Sequence, residues 1–201
     1  MGRRSDHTRA ELRALLIAEG HALLAEQGLA RFSGREVAKR AGYSVGTIYN
    51  VFGTLDRLIA AINSHTFVLW AEFLRERLDS GGEDRIRSLV EAYFEFALAH
   101  PALWSAIYDH RLTEGEELDE SDHQQRAQLT AIVEQEVRAA LPDPYGLDPD
   151  MPDAARFALS LIATVHGHCS YVVTGTFALL EEPDPVGSAL ARVRECLAAQ
   201  G

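Results

Sequence analysis

The chain is short of several things, and each shortage excludes a class of protein. Only two cysteines occur among its 201 residues, too few for a disulfide framework, and this points to a reducing, cytoplasmic setting. Long apolar runs are missing. The most apolar stretch, Phe157 to Leu180, is interrupted by Ser160, Thr164, His166, His168, Ser170, Thr174 and Thr176, so it reads as a buried helix of a water-soluble protein and not as a membrane span. The opening Met-Gly-Arg-Arg-Ser-Asp lacks the apolar segment of a secretory signal, and Ser5 stands one place early for a myristoylation match. Strand-like alternation, internal repeats and low-complexity tracts do not occur. Positive charge is scarce too: 19 Lys+Arg stand against 30 Asp+Glu, a formal net charge of −11. At face value this argues against nucleic acid as a partner, because a protein that holds DNA must neutralise phosphates.

Splitting the charge reverses that inference. Residues 1–57 carry nine Arg/Lys and six Asp/Glu, a net of +3, whereas residues 58–201 carry ten against twenty-four, a net of −14. A small basic head is thus joined to a large acidic body, an asymmetry that points to a nucleic-acid segment. The 47% hydrophobic content is that of a folded chain, and a chain of this length hides roughly 70% of its unfolded surface. One large or two small domains follow.

Helical periodicity dominates, so the expected class is all-α, with about nine helices. Thr8-Arg9-Ala10-Glu11 spells a capping box, and the helix it opens is expected to close at Gly28 with a left-handed residue. Ser33-Gly34-Arg35-Glu36 repeats the device for a short helix closed by Gly42. Ser44 is placed to cap a segment stopped by Gly53, and Thr54 to cap a long helix from Leu55 to about Leu78. Further helices are expected from about Asp84 to Ala99, from Pro101, from about His123 to Leu141, from about Asp153 to Leu180, and from Pro185 behind an Asp184 cap. Thr113 to Asp122, with six acidic residues, reads as a solvated loop or frayed end. Pro142, Pro144, Pro149 and Pro152 forbid regular structure between two of the helices.

Residues 34–53 carry the most information. Two short helices joined by a three- or four-residue turn cannot bury a core alone, but they fit a helix-turn-helix in which the first helix braces the second. Ala38 is small where the helices cross, Gly42 sits at the turn and Ile48 points into the angle. Val37, Ala41 and Val51 complete the buried side, against Leu15, Leu16 and Leu23 of the preceding helix. Outward stand Ser44, Gly46, Thr47, Tyr49 and Asn50, short or polar groups suited to a phosphate backbone and to base edges in the major groove. Arg35, Lys39 and Arg40 supply charge, and the helix starts at Gly34 and Val45 offer free N–H groups.

The segment 8–66 that contains these residues, centred on "REVAKRAGYSVGTIYNVFGTLDRLIAAI", resembles the DNA-binding domain of tetracycline-repressor (TetR) type regulators. The resemblance implies a DNA-binding head over 1–54 and a helical effector-binding and dimerisation body over 55–201. It further implies a homodimer on a palindromic operator, expected to act as a repressor and to be released by a small molecule. Arg35, Ser44, Val45, Gly46, Thr47, Tyr49 and Asn50 fall where that family touches DNA. One departure is Leu55, where the family usually has a phosphate-binding lysine; Arg57 is a candidate substitute, and the Arg3-Arg4 arm reads as a solvated tail in preference to a minor-groove contact. "HPALWSAIY" and "TVHGHCSYVVTG" resemble a C-terminal subtype named for a Trp-His-Gly motif, with Val165 at the usual tryptophan.

For the effector, Tyr93, Trp104, Tyr108 and His166 combine aromatic bulk with a polar tip and suit a mainly apolar or aromatic ligand. Gly167 and Gly175 are eight apart and so are expected to share one face of the same helix; glycine costs about 1 kcal/mol inside a helix, which suggests close helix approach. In the resembled family the last two helices form the dimer seam, which places His168, Tyr171, Val172 and Phe177 on or beside it. No metal or cofactor is implied: His166 and His168 lie about 200° apart around a helix, and His166 with Cys169 has no second pair nearby. The acidic residues Asp143, Asp148, Asp150 and Asp153 lack calcium-loop spacing. Neither cysteine has a neighbour that lowers its pKa.

An enzyme is not expected. Ser105, Asp109 and His110 have the residue types of a triad but crowd two turns of one helix, and phosphate-loop, zinc-protease and dinucleotide motifs are missing. The alternative kept from another class is a helical small-molecule carrier or enzyme whose helix-turn-helix no longer works. Salt-dependent, sequence-selective affinity for duplex DNA separates the two.

Overall fold

The computed structural model describes residues 7–141 and 152–199, and the regular structure among them is entirely helical. The N-terminal hexapeptide with its Arg3-Arg4 arm, the stretch from Pro142 to Pro149, and Asp143, Asp148 and Asp150 lie outside the described residues, as does the Asp153 side chain. In chain order the helices are α1 (Arg9–Gln27), α2 (Gly34–Arg40), α3 (Val45–Phe52), α4 (Leu55–Ser80), α5 (Arg85–Ala99), α6 (Pro101–Asp109), α7 (Glu120–Ala140), α8 (Pro152–Val173), α9 (Thr176–Leu179) and α10 (Pro185–Ala198), with a 3-10 turn at Leu29–Arg31 after α1.

Several starts follow from the capping chemistry. At α1 the Glu11 amide donates to Thr8 Oγ1 at 3.3 Å while the Thr8 amide donates to Glu11 Oε2 at 2.7 Å, a closed capping box. The Arg57 amide donates to Thr54 Oγ1 at 3.2 Å, and the Gly187 amide to Asp184 Oδ1 at 2.9 Å. Pro101 occupies the first turn of α6 behind His100.

Four local expectations are corrected. Ser33 and Ser44 stand at helix starts but neither side chain caps: Glu36 turns instead to Lys39 and Arg40, and Ser44 Oγ faces Thr47 Oγ1 at 3.5 Å. Gly28 has positive φ, but its ψ of 169° is extended, because the chain must turn directly into the 3-10 segment. The acidic run is a largely exposed loop only as far as Asp119: α7 begins at Glu120, and Asp122 is buried, 3.8 Å from the Arg13 guanidinium. The expected helix to Leu180 breaks at Gly175, which is left-handed at φ 75°, so Gly167 and Gly175 do not share one helix face. Within the chain itself, a Cβ on Gly167 would meet nothing within 4 Å.

The described residues fall into two compact units: one comprises residues up to Phe67 with His100–Gln125, the other Val68–Ala99 with the residues from Arg126 onward. In the first, α1 to α3, the start of α4 and α6 enclose a core. Leu16, Leu23, Leu24, Val37, Ile48 and Leu58 are at most 1% exposed, and full burial of each such side chain contributes about 1.5–3 kcal/mol. Ala38 is buried between α2 and its neighbours, as its small size at the crossing requires. In the second unit α8 packs on α10, and α5 on both. Trp70 is buried there, stacked on Phe96 and edge-on to Tyr93.

Candidate nucleic-acid interface and effector cavity

The turn between α2 and α3 is set by backbone bonds: the Tyr43 amide donates to the Ala38 carbonyl at 2.8 Å, with Gly42 at φ 79° where an L side chain is strained. Ile48 is driven into the core, which fixes what α3 turns outward. Ser44, Val45, Gly46, Tyr49 and Asn50 are exposed and Thr47 half-buried. Val45 at 40% and Tyr49 at 53% are among the few large apolar side chains left in water. Together with Arg35, Ser33, Gly34 and Leu55 they border one surface depression.

The cations divide in role. Arg35 is exposed, with no carboxylate in ion-pair reach among the described residues. Arg40, expected to serve phosphates, is instead forked onto Glu26 at 2.9 and 2.7 Å, and this pairing holds the Glu26 carboxyl below the usual carboxylate range. Lys39 lies 3.5 Å from Glu36. Leu55 has a packing reason: a Cβ added to Gly34 would sit 2.9 Å from Leu55 Cδ1, so the leucine fills the space beside the start of α2.

Sequence reasoning missed a second cleft of this unit. Arg9, Arg13 and Arg57 face Glu117, Asp119 and Asp122 across it, and the Arg13 guanidinium lies 5.4 Å from the Phe52 ring centroid. The acidic segment is anchored at its root, where the Thr113 hydroxyl donates to Asp56 Oδ2 at 2.6 Å and His110 Nε2 lies 3.4 Å from Oδ1. These contacts hold the Asp56 carboxyl below its ordinary range, the Thr113 bond most of all. No motif announces them, since Asp56 and Thr113 are 57 positions apart.

In the second unit a cavity runs between five helices. Leu74 of α4, Leu89 and Tyr93 of α5, Val133 of α7, Leu161 of α8 and Val193 of α10 contribute to it, and its other lining residues are also isoleucine or valine. Its empty space is about 430 Å³, counted with the open mouth and the solvent in front of it. The Tyr93 hydroxyl and His166 Nδ1 are 3.1 Å apart, and burial lowers the pKa of His166.

The four residues nominated for the effector form two pairs. Tyr93 and His166 meet in the second unit, while Trp104 and Tyr108 pair in the first with ring centroids 5.1 Å apart. Of the dimer candidates, His168, Tyr171 and Phe177 come together: Phe177 lies 5.9 Å from His168 and 5.3 Å from Tyr171, centroid to centroid. Val172 is half-buried beside them, and Leu179 is 85% exposed. Cys169 is buried, which pushes its thiol up to about 12. Among the described residues no group of three or more His, Cys, Asp or Glu could hold a metal ion, and no helix is long and apolar enough to cross a membrane.

Two family models match the chain. One, bacterial regulatory proteins of the tetR family, covers residues 16–62, and the other, the tetracyclin repressor-like C-terminal domain, covers residues 86–193. No curated protein matches the chain. Among solved structures, a TetR transcriptional regulator from Rhodococcus sp. RHA1 is 18% identical, with a TM-score of 0.68 over 94% of this chain and 98% of that one. A TetR-family transcriptional regulator from Streptomyces coelicolor is 20% identical, with a TM-score of 0.63 over 95% of this chain and 100% of that one. RolR in complex with resorcinol is 14% identical, with a TM-score of 0.68 over 94% and 88%. With a helix-turn-helix head and a helical C-terminal domain that both match, the chain belongs to the TetR family and is a DNA-binding transcriptional regulator.

Proposed function

We propose that the protein is a cytoplasmic repressor without enzymatic activity that binds a palindromic operator as a homodimer and leaves it when a small, mainly apolar molecule occupies its C-terminal domain. The DNA-binding head is residues 1–54, and the effector-binding and dimerisation domain is residues 55–201. The observation that carries the reading is the outward face of α3, where Val45 and Tyr49 remain in water. An apolar face so exposed is compatible with thymine methyls and sugar edges in a major groove. Thr47, Asn50 and Ser44 supply hydrogen bonds beside it, the backbone at Gly46 allows close approach, and Arg35 meets a phosphate.

The dimer places its two recognition helices in successive grooves, roughly 34 Å apart or somewhat more. His168, Tyr171, Val172 and Phe177 form part of the subunit contact. Tyr93 and His166 are the polar pair of the effector site. Helix α4, which runs through both units, is the element whose tilt sets the head spacing, and an effector that prefers the wrong spacing dissociates the complex by linkage.

The test is a gel shift on DNA upstream of the protein's own gene, with Tyr49→Ala and Thr47→Ala beside the wild type. Both variants are expected to lose sequence-selective binding while keeping their helical content. Undiminished binding by both removes α3 from the interface.

A further inference from the structure

We propose that the cavity of the second unit takes a neutral, saturated alkyl chain, whose polar end, if it has one, stays at the mouth. This deepens, and rests on, the reading of that unit as the effector-binding domain. The wall is chemically uniform: apart from Tyr93, every lining residue is leucine, isoleucine or valine, drawn from α4, α5, α7, α8 and α10. Tyr93 turns its hydroxyl to His166 at 3.1 Å, so its contribution to the wall is ring.

That wall discriminates by desolvation. A carboxylate, an ammonium or a pair of phenolic hydroxyls seated among these side chains would give up its water hydrogen bonds for branched hydrocarbon, and no hydroxyl, amide or charged side chain besides Tyr93 lines the cavity to replace them. A methylene chain gives up nothing and gains contact along its length. Branched Val, Ile and Leu surfaces also offer no flat slot between rings. The aromatic stack of this unit, Trp70 on Phe96 at a centroid distance of 4.9 Å, does not line the cavity, which leaves Tyr93 as the aromatic element facing a ligand.

Two sources could deliver such a chain: a free alcohol or acid, and an acyl thioester whose carrier remains outside. Both share the hydrocarbon, which is what the cavity recognises.

The test is calorimetric titration of the full-length protein with 1-hexanol, 1-octanol and 1-decanol, and with resorcinol as the small polar aromatic. Affinity is expected to rise about fourfold per added methylene until the chain outgrows the cavity, with resorcinol weaker than decanol. Val133→Phe and Ile162→Phe, each half-buried on a different helix of the wall, are expected to weaken decanol at least tenfold while melting cooperatively. Two variants are used so that one folding failure leaves the other. Sodium decanoate and decanoyl-coenzyme A form the source arms: chain-dependent binding of either supports the assignment, and the tighter one names the source. Affinity independent of chain length, resorcinol binding tighter than decanol, or wild-type affinity in a folded filled variant overturns it. A parallel gel shift separates the two readings. If decanol binds and the operator stays bound, the alkyl site stands and its effector role falls. If another ligand frees the operator while no alkanol binds, the effector domain stands and the alkyl assignment falls.

Discussion

Nδ2 of Asn63, in α4, donates to the carbonyl oxygen of Ala106, in the last turn of α6, at 3.0 Å, with Asn63 only 1% exposed. A polar side chain this deep is costly unless bonded, and here it fixes the register of one helix on another within the first unit. The same carbonyl accepts the His110 amide at 3.2 Å, so Asn63 also steadies the end of α6, where His110 faces Asp56. Asn63→Ala is expected to lower unfolding stability by about 1–3 kcal/mol, read from urea denaturation. A change below a few tenths would show that the bond carries no weight.

A second tight approach joins α1 to α4. A Cβ placed on Gly20 would sit 2.4 Å from Ile62 Cδ1 and 3.2 Å from its Cγ1. Alanine gains about 1 kcal/mol of helix propensity over glycine, but overfilling a packed core costs about 1–3 kcal/mol. Since Ile62 is fully buried, the packing cost should win. Gly20→Ala is expected to be destabilising, and Gly20→Ala with Ile62→Val to recover most of the stability. Thermal melts of the four proteins form the cycle that reads this coupling.

The pH dependence of stability has a histidine component. Burial, then the neighbouring His65 of α4 and His100 at the start of α6, push the pKa of His21 down to about 4 from an ordinary value of 6.5. Between those values the unfolded chain binds the proton and the folded chain does not. The stabilising contribution is therefore present above pH 6.5 and is lost as pH falls toward about 4. His21→Leu is expected to flatten the decline of the urea midpoint between pH 6.5 and pH 5. An unchanged slope would assign that decline to other groups.

Arg35 and Arg40 should behave differently toward salt. Arg35 is exposed and free of carboxylates among the described residues, whereas Arg40 is engaged by Glu26. Arg35→Ala is expected to reduce the slope of log affinity against log salt by roughly 0.9 for each phosphate that the arginine neutralises. Arg40→Ala is expected to leave that slope unchanged. Equal effects on titrating operator DNA with potassium chloride would place both guanidinium groups on the backbone.

Much of the head was legible in sequence for a local reason. The features that make it, Ala38 at the crossing, Gly42 at the turn and Ile48 in the angle, lie within one continuous stretch of eleven residues. Periodicity, turn chemistry and size therefore report them directly. Side-chain caps were less legible. Ser33 and Ser44 have the right type and place, but their hydroxyls do not cap: Glu36 is drawn to Arg40 and Lys39, and Ser44 Oγ faces Thr47 Oγ1. The break at Gly175 was invisible, since an isolated glycine in an apolar run reads equally as helix interior or helix end.

By itself, the sequence determined the all-helical class, the basic head, the helix-turn-helix and the exposed face of α3, because these follow from spacing along one or two helices. Only the tertiary structure decided that Arg40 belongs to Glu26, that Leu55 fills the space beside Gly34, and that the acidic run is tied to Arg13 and Asp56. It alone brought Tyr93 to His166 and Trp104 to Tyr108, and assembled an aliphatic cavity from five helices. The physical reason is distance along the chain. Such interactions join residues tens of positions apart, and their partners are selected by packing and by desolvation of charge, neither of which leaves a periodic trace in the sequence.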